Sequence, residues 1–232
     1  MAAIEQTDTP ESGTPDSQPR KMPRDARRVQ LIEATIETIA RFGYSRTTMS
    51  EVARMAGLSH GLVNFHFQTK ENLLSETLLY LSAEYRQNWT GAVEAAGPGA
   101  AEQLYAMLAA DFRPEICTPG RLAAWCSFWG ETSGRPLYQE KCGSNDEQYN
   151  QYLEELCRRM NEDHGYMVDP TRTARVLRVT TEGVWLDMMT MQSPYDASEA
   201  LATLMVCVTA FFPRHFSVEG LVAEGLVRAV PQ

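Results

Sequence analysis

Apolar positions recur along most of this chain at three- and four-residue spacing, and no segment shows sustained two-residue alternation, so the pattern predicts an all-α protein without a sheet. The first helix is expected at about 24–43. Leu31, Ile32, Thr35, Ile36, Ile39 and Ala40 give it an apolar face, and Gly43 stops it. Residues 48–67 then read as two short helices around a tight turn. Thr47 or Thr48 caps the first, since a hydroxyl can accept from the amides of the opening turn. Val52, Ala53 and Ala56 form its inner face, Gly57 makes the turn and Leu58 plugs the angle. Ser59 caps the second, whose inward residues are Leu62 and Val63. That leaves His60, Gly61, Asn64, Phe65 and His66 pointing outward.

Beyond this, Thr69 caps one long helix from Lys70 to about Glu94. Helices follow at 100–115, 119–133, 146–163, 171–192 and 197–215. Turn signals separate them at Pro114 and Pro119, Gly134 to Pro136, Gly143 to Asn145, Gly165 to Pro170, and Ser193-Pro194. Residues 1–22 have no periodic apolar pattern and are rich in Thr, Pro, Ser, Gln and acids, which predicts a disordered arm. The expected division is therefore an arm at 1–22, a three-helix unit at 23–69, a helical domain at 70–216 and an extension at 217–232 that adds a weak helix.

A short helix with small and polar tips on its outer face suits the major groove of DNA. Net charge first argues against that use, because the chain carries −9 overall. Its distribution reverses the argument. Residues 20–75 hold nine basic and five acidic side chains, hence +4. Residues 1–19 carry −4 and residues 76–232 carry −9. Arg24 and Arg28, at the basic start of the first helix, are placed to approach phosphates. Thr48 and Lys70 sit at helix starts, which also favour phosphate.

These residues also form an ordered signature: Thr48, Val52-Ala53, Ala56-Gly57, Ser59, Gly61, Phe65-His66-Phe67, Lys70-Glu71 and Leu73. It resembles that of the TetR family of bacterial one-component repressors, across about 45 residues when the first helix is included. One departure is Asn64, which stands where the family usually has Tyr. The resemblance implies a helix-turn-helix unit that contacts double-stranded DNA at an inverted repeat. Arg24, Arg28, Thr47, Thr48, Ser59, His60, Gly61, Asn64, Phe65, His66 and Lys70 would do so.

The last two expected helices are apolar over more than one face. Val176, Leu177, Thr180, Val184, Trp185, Met188 and Met189 load one; Leu201, Leu204, Met205, Val208, Phe211 and Phe212 load the other. Such helices need cover on both sides. A buried place within one chain would supply it, and so would a homodimer through 171–215, as the resemblance implies.

Between these ends lies an aromatic stripe. Trp125, Phe128 and Trp129 share one helix face, and Glu182 and Trp185 share another. Aromatic faces beside carboxylates attract a bulky organic cation. Tyr105 and Asp111 are candidates to join them, and Asp187 is a further source of charge. The stretch from Ala124 to Trp129, with Gly183 to Leu186, resembles the BetI-type branch of the family, which are choline-responsive repressors. A small-molecule effector such as choline is therefore expected. The plain alternative is that these tryptophans only pack the core.

Other classes find less support. The five cysteines form no CxxC pair and only four histidines are scattered along the chain, so no metal site is expected; the thiols read as reduced in a cytosol. The longest apolar stretch, 201–212, is too short to span a bilayer, and the expected setting is cytoplasmic. No nucleophile elbow, phosphate loop or HExxH motif speaks for an enzyme or a cofactor. Two classes of reading remain: a ligand-responsive DNA-binding repressor, with choline or a different small molecule as its effector, and an all-helical enzyme or lipid-type binding module that merely contains a helix-turn-helix.

Overall fold

The structure, a computed structural model, describes residues 23–131, 134–192 and 196–222. Among the described residues it is built of helices, with one short hairpin at the C-terminal end. The N-terminal elements are α1 (Arg24–Phe42), α2 (Met49–Ala56) and α3 (His60–Phe67). Leu31, Ile36 and Ile39 of α1, Val52 of α2 and Val63 and Phe67 of α3 are buried in the shared core. Thr48 caps α2 by accepting from the Glu51 amide at 3.2 Å, and Ser59 caps α3 by accepting from the Leu62 amide at 3.3 Å. Gly57 ends α2 in the left-handed region at φ 66°, which a side chain would oppose.

Thr69 caps α4 (Lys70–Ala95), as its sequence suggests, by accepting from the Asn72 amide at 3.1 Å. α4 leads into the larger helical domain, made of α5 (Ala100–Ala110), α6 (Pro119–Gly130), α7 (Gly134–His164), α8 (Pro170–Thr190) and α9 (Ala197–Phe211). Thr118, Asp169 and Asp196 cap α6, α8 and α9. Proline follows at once in α6 and α8, where the first turn has no use for its missing N–H.

Several boundaries differ from those expected. α5 stops at Ala110 instead of 115, because Arg113 precedes Pro114 and the chain tightens into short turns from Asp111. α6 and α9 also end early, at Gly130 and Phe211. α7 starts twelve residues sooner than expected and runs through Gly143 and Asn145. Tertiary contacts outweigh the turn propensity there: Cys142 is buried, and the Asn145 amide donates to Ser82 of α4 at 2.6 Å. A two-stranded hairpin, β1 (Phe216–Ser217) and β2 (Gly220–Leu221), stands where a weak helix was expected. The arm at 1–22 and residues 223–232 lie outside the described residues.

α6 is the element that joins the two halves. It packs on α1, and Phe128 meets Tyr44, just past α1, edge to face with centroids 5.4 Å apart. At its start Arg121 pairs with Glu33 of α1 at 3.0 Å and Glu84 of α4 at 2.7 Å. α8 and α9 pack together and divide their apolar residues between two faces. Leu177, Val184, Leu204, Met205, Val208 and Phe212 are buried within the chain. Val176, Val179, Leu186 and Met189 of α8 and Val206 of α9 stay exposed. Leu204 and Val208 thus belong to the interior of one chain instead of its outer face.

Candidate functional site

The tip of the N-terminal unit presents His60, Gly61, Asn64 and Phe65 on the exposed side of α3. Phe65 is 65% exposed, large for a phenyl ring, and the Arg24 guanidinium lies over it at 5.8 Å. Thr48 and Ser59 are exposed at the two helix starts. Two other candidates turn inward. Thr47 is fully buried, and its hydroxyl donates to the Gly43 carbonyl at 2.9 Å. His66 is also buried, and desolvation together with Arg24, Arg28 and Arg27 pushes its pKa down. Its neighbours Val63 and Phe67 define the inner face, and His66 falls on that side of a helix only two turns long. Both residues are removed from the surface set.

Arg28 and Lys70 are partly engaged within the chain. Arg28 donates to the His66 carbonyl at 3.0 Å, pairs with Glu76 at 3.0 Å and covers the Phe67 ring at 4.8 Å. It therefore clasps α1, α3 and α4 together. Lys70 donates to the Ser45 carbonyl at 3.2 Å and lies 5.9 Å from the Tyr44 ring.

The second site is a cavity between α4, α6, α7 and α8, closed at the end of α5. Its volume is about 40 Å³. Trp125 and Trp129 enter from α6 and Trp185 from α8. Trp129 and Trp185 are parallel within 7°, with centroids 6.5 Å apart. Two tyrosines stand across these planes. Tyr138 is at 84° to Trp129, and Tyr85 is at 80° to Trp185. The two parallel indoles are thus each met by a perpendicular tyrosine on the cavity lining.

Three carboxylates line the same cavity: Asp111, Asp146 and Glu182. Asp111 is fully buried where α5 ends. Burial pushes its pKa up to about 7, with the Glu182 charge adding to the rise. The Tyr149 and Tyr85 hydroxyls pull it back. The Tyr149 hydroxyl donates to Asp111 Oδ2 at 2.8 Å, and the Trp185 indole N–H donates to the Asp111 carbonyl at 3.2 Å. Desolvation also raises Asp146 and Glu182. Asp146 accepts from the Tyr138 hydroxyl at 2.6 Å, and Arg178 pairs with Glu182 at 3.0 Å. Arg178 is the one basic side chain on this lining. With all three acids ionised, the lining would carry an excess of negative charge.

Of the expected ligand contacts, Asp111, Trp125, Trp129, Glu182 and Trp185 meet here. Tyr105 does not: its ring packs against Gly220 of the hairpin, 3.1 Å from where a Cβ would stand. Phe128 turns to the other side of α6, fully buried against Tyr44. Asp187 is exposed on α8 and is not part of the lining. The sequence reading missed Tyr85, Tyr138, Asp146, Tyr149, Arg178 and Thr181. Arg178, Thr181, Glu182 and Trp185 follow helical spacing, so that face could have been found. Tyr138 and Asp146 were hidden by the break expected inside α7.

Among the described residues no cluster of three or more metal-ligating side chains occurs, and no helix is long and apolar enough to cross a membrane. The five cysteines are unpaired thiols.

Comparison with known proteins covers both halves of the chain. Residues 31–77 match the family model described as bacterial regulatory proteins of the tetR family, and residues 100–213 match the C-terminal model of BetI-type transcriptional repressors. The HTH-type transcriptional regulator BetI of Escherichia coli K12 is 28% identical over 193 residues, covering 81% of this chain and 94% of its own. BetI of Paraburkholderia xenovorans LB400 is 28% identical over 181 residues, covering 78% and 90%. A Pseudomonas aeruginosa PAO1 protein named as a transcriptional regulator superposes with a TM-score of 0.69 at 25% identity, over 83% of this chain and 91% of that one. A Saccharomonospora viridis regulator solved in complex with choline superposes with a TM-score of 0.67 at 18% identity, over 78% and 94%. A reading-helix tip joined through α6 to a BetI-type C-terminal half makes this chain a member of the TetR family of bacterial transcription regulators, and not an enzyme.

Proposed function

We propose that this regulator is a homodimeric repressor released from an inverted-repeat operator by a small quaternary ammonium such as choline. The observation that carries the ligand class is one cavity lining shared by the rings of Trp129, Trp185, Tyr85 and Tyr138 and the carboxyl groups of Asp111, Asp146 and Glu182. A quaternary ammonium cannot donate a strong hydrogen bond. Ring faces and diffuse negative charge must hold it, and they do so best away from water. Burial raises the pKa of all three acids, and a cation bound beside them would favour their ionised forms. The choline complex of the S. viridis protein adds that a molecule of this fold holds such a ligand.

On the DNA side His60, Asn64 and Phe65 read bases, while Thr48, Ser59, Gly61, Lys70 and Arg24 lie against the backbone. The exposed stripe of Val176, Val179, Leu186, Met189 and Val206 is the dimer face. The dimer would set its two α3 helices about 34–36 Å apart, one turn of DNA. The ligand needs only to prefer a different spacing of them. Calorimetry with choline and with its neutral carbon isostere, 3,3-dimethylbutanol, tests the ligand class. Choline is expected to bind much more tightly. Equal affinity would show that charge is not recognised and would remove the proposal's support.

A further inference from the structure

The corner between α7 and α8 is fastened to the segment beyond α9 by a cluster that neither the reading tip nor the aromatic cavity uses. His164, the last residue of α7, and His215 lie ring against ring, with centroids 4.1 Å apart. Tyr166, in the corner itself, accepts from the Arg214 amide at 3.0 Å, and its hydroxyl lies 2.9 Å from His215 Nδ1. With the phenol oxygen already an acceptor, its own proton goes to Nδ1. His215 is thereby held neutral, with its N–H at Nε2. The Arg214 guanidinium covers the Tyr166 ring at 4.5 Å and donates to the His164 carbonyl. His215 also stands at the base of the hairpin, where its carbonyl accepts from the Val222 amide at 2.9 Å. Gly220 seats the hairpin on Tyr105 of α5.

We propose that His164 and His215 form an acid-released latch, which holds the C-terminal hairpin on the α7–α8 corner at neutral pH and frees it on mild acidification. A proton on His215 Nδ1 removes the acceptor of the Tyr166 hydroxyl and sets an imidazolium against His164 and Arg214. Glu102 of α5 works the other way. Desolvation, His164 and Arg214 push the His215 pKa below its ordinary 6.5. The opened hairpin therefore takes up a proton more readily than the latched one. The stability that His215 contributes is fully present above about pH 6.5 and is lost as pH falls below it. α8 starts soon after Tyr166 and α9 ends shortly before Arg214, so the latch ties the near ends of these two helices.

The test is hydrogen exchange by mass spectrometry on the unmodified full chain at pH 7.5 and pH 5.5, each peptide corrected for the intrinsic pH dependence of exchange. Relative to peptides of α1, those covering 212–222 should lose protection several-fold at pH 5.5. The ceiling is about tenfold, the most that one imidazole gives one unit below its ordinary pKa. Equal relative protection at both pH values would overturn the latch, whether or not any variant folds. His215→Gln keeps an acceptor for the Tyr166 hydroxyl and cannot take a charge, so its hairpin should show no loss at pH 5.5. A loss that persists in this variant would assign the acid sensitivity to another group, Glu102 first, and would overturn the inference as well. His164→Gln removes one imidazole of the pair and should reduce the loss; an undiminished loss would take His164 out of the latch. Asp111 cannot imitate the effect, because its contribution is lost as pH rises instead.

Discussion

Trp129 and Trp185 face each other as parallel rings 6.5 Å apart, one on α6 and the other on α8. Half of that separation is less than the contact distance of about 3.5–4 Å between carbon atoms, so no methylated ammonium fits between them as they stand. A ligand held by both rings has to part them. α6 cannot move alone: its far side holds Phe128 against Tyr44 and Arg121 against Glu33 and Glu84. The separation of two indoles is thereby tied to the position of α1 and, through it, of the reading helix. Energetically the ligand shifts this equilibrium only by its preference for the parted arrangement.

Arg121 should therefore matter to coupling more than to binding. Its side chain is only 16% exposed and serves two acids on two helices. Glu33→Gln keeps the shape and removes one charge. We predict that this variant binds choline within about twofold of the parent, while the choline concentration needed to release DNA changes several-fold. Paired calorimetry and anisotropy measure the two separately. An equal change in both would place Glu33 in the binding energy instead.

Trp129→Ala should abolish the choline response and leave DNA binding intact, because Trp129 is half-buried and the reading tip lies in the other half. Phe128→Ala is the contrasting case. Phe128 is fully buried, and the loss should be about 3–5 kcal/mol of stability. Thermal unfolding with operator binding distinguishes them. Loss of folding in Trp129→Ala would make that ring part of the core.

Operator contacts divide in the same way. Asn64→Ala should relax preference at one base step by about 1–3 kcal/mol, and Lys70→Ala should weaken all sequences alike. Affinity should fall steeply with salt as phosphate contacts release counterions. Binding-site selection followed by a salt titration reads each effect. An unchanged sequence profile for Asn64→Ala would remove it from the reading set.

Dimerisation is tested at Val206, which is 58% exposed in the isolated chain. Val206→Glu should yield a folded monomer in sedimentation, since the new charge meets water when the chains part. Leu204→Glu should unfold the chain instead, because Leu204 is fully buried and a charge there has no partner. A dimer that survives Val206→Glu would move the interface elsewhere.

The chemistry of Asp111 predicts a pH dependence with a definite sign. Its pKa is raised from an ordinary 3.8 to about 7, mainly by desolvation. The folded chain then holds a proton that the unfolded chain has lost. The stability this group contributes is fully present below about pH 4 and is lost as pH rises through about 7. A bound cation favours the ionised form, so choline affinity should rise by up to about tenfold per pH unit below 7 and level off above it. Tyr85, Tyr149, Glu182 and Cys117 face the same group and set where the curve bends. In Asp111→Asn the calorimetric curve between pH 6 and 8 should be nearly flat. A slope unchanged by that substitution would assign it to Asp146 or Glu182.

What could be read from the sequence follows from the range of each interaction. The caps at Thr48, Ser59 and Thr69 and the turn at Gly57 are local, so a few residues suffice to predict them. Trp125, Trp129, Glu182 and Trp185 were visible as two helix faces that pair rings with charge, and they fall on one cavity lining. Tyr138 and Asp146 were lost because Gly143 and Asn145 suggest a turn that Ser82, far away in sequence, overrides. His66 was misplaced because α3 is too short for periodicity to divide inside from outside. Tyr105 was drawn away from the cavity by Gly220, more than a hundred residues later.

On this reading the aromatic cavity and the reading tip belong to one switch. Its most direct test is fluorescence anisotropy of the unmodified chain on an inverted-repeat duplex from its own upstream DNA, titrated with choline at fixed salt. Saturable release of the duplex is expected, with a midpoint matching the calorimetric affinity for choline. A duplex that stays fully bound up to about millimolar choline would contradict it.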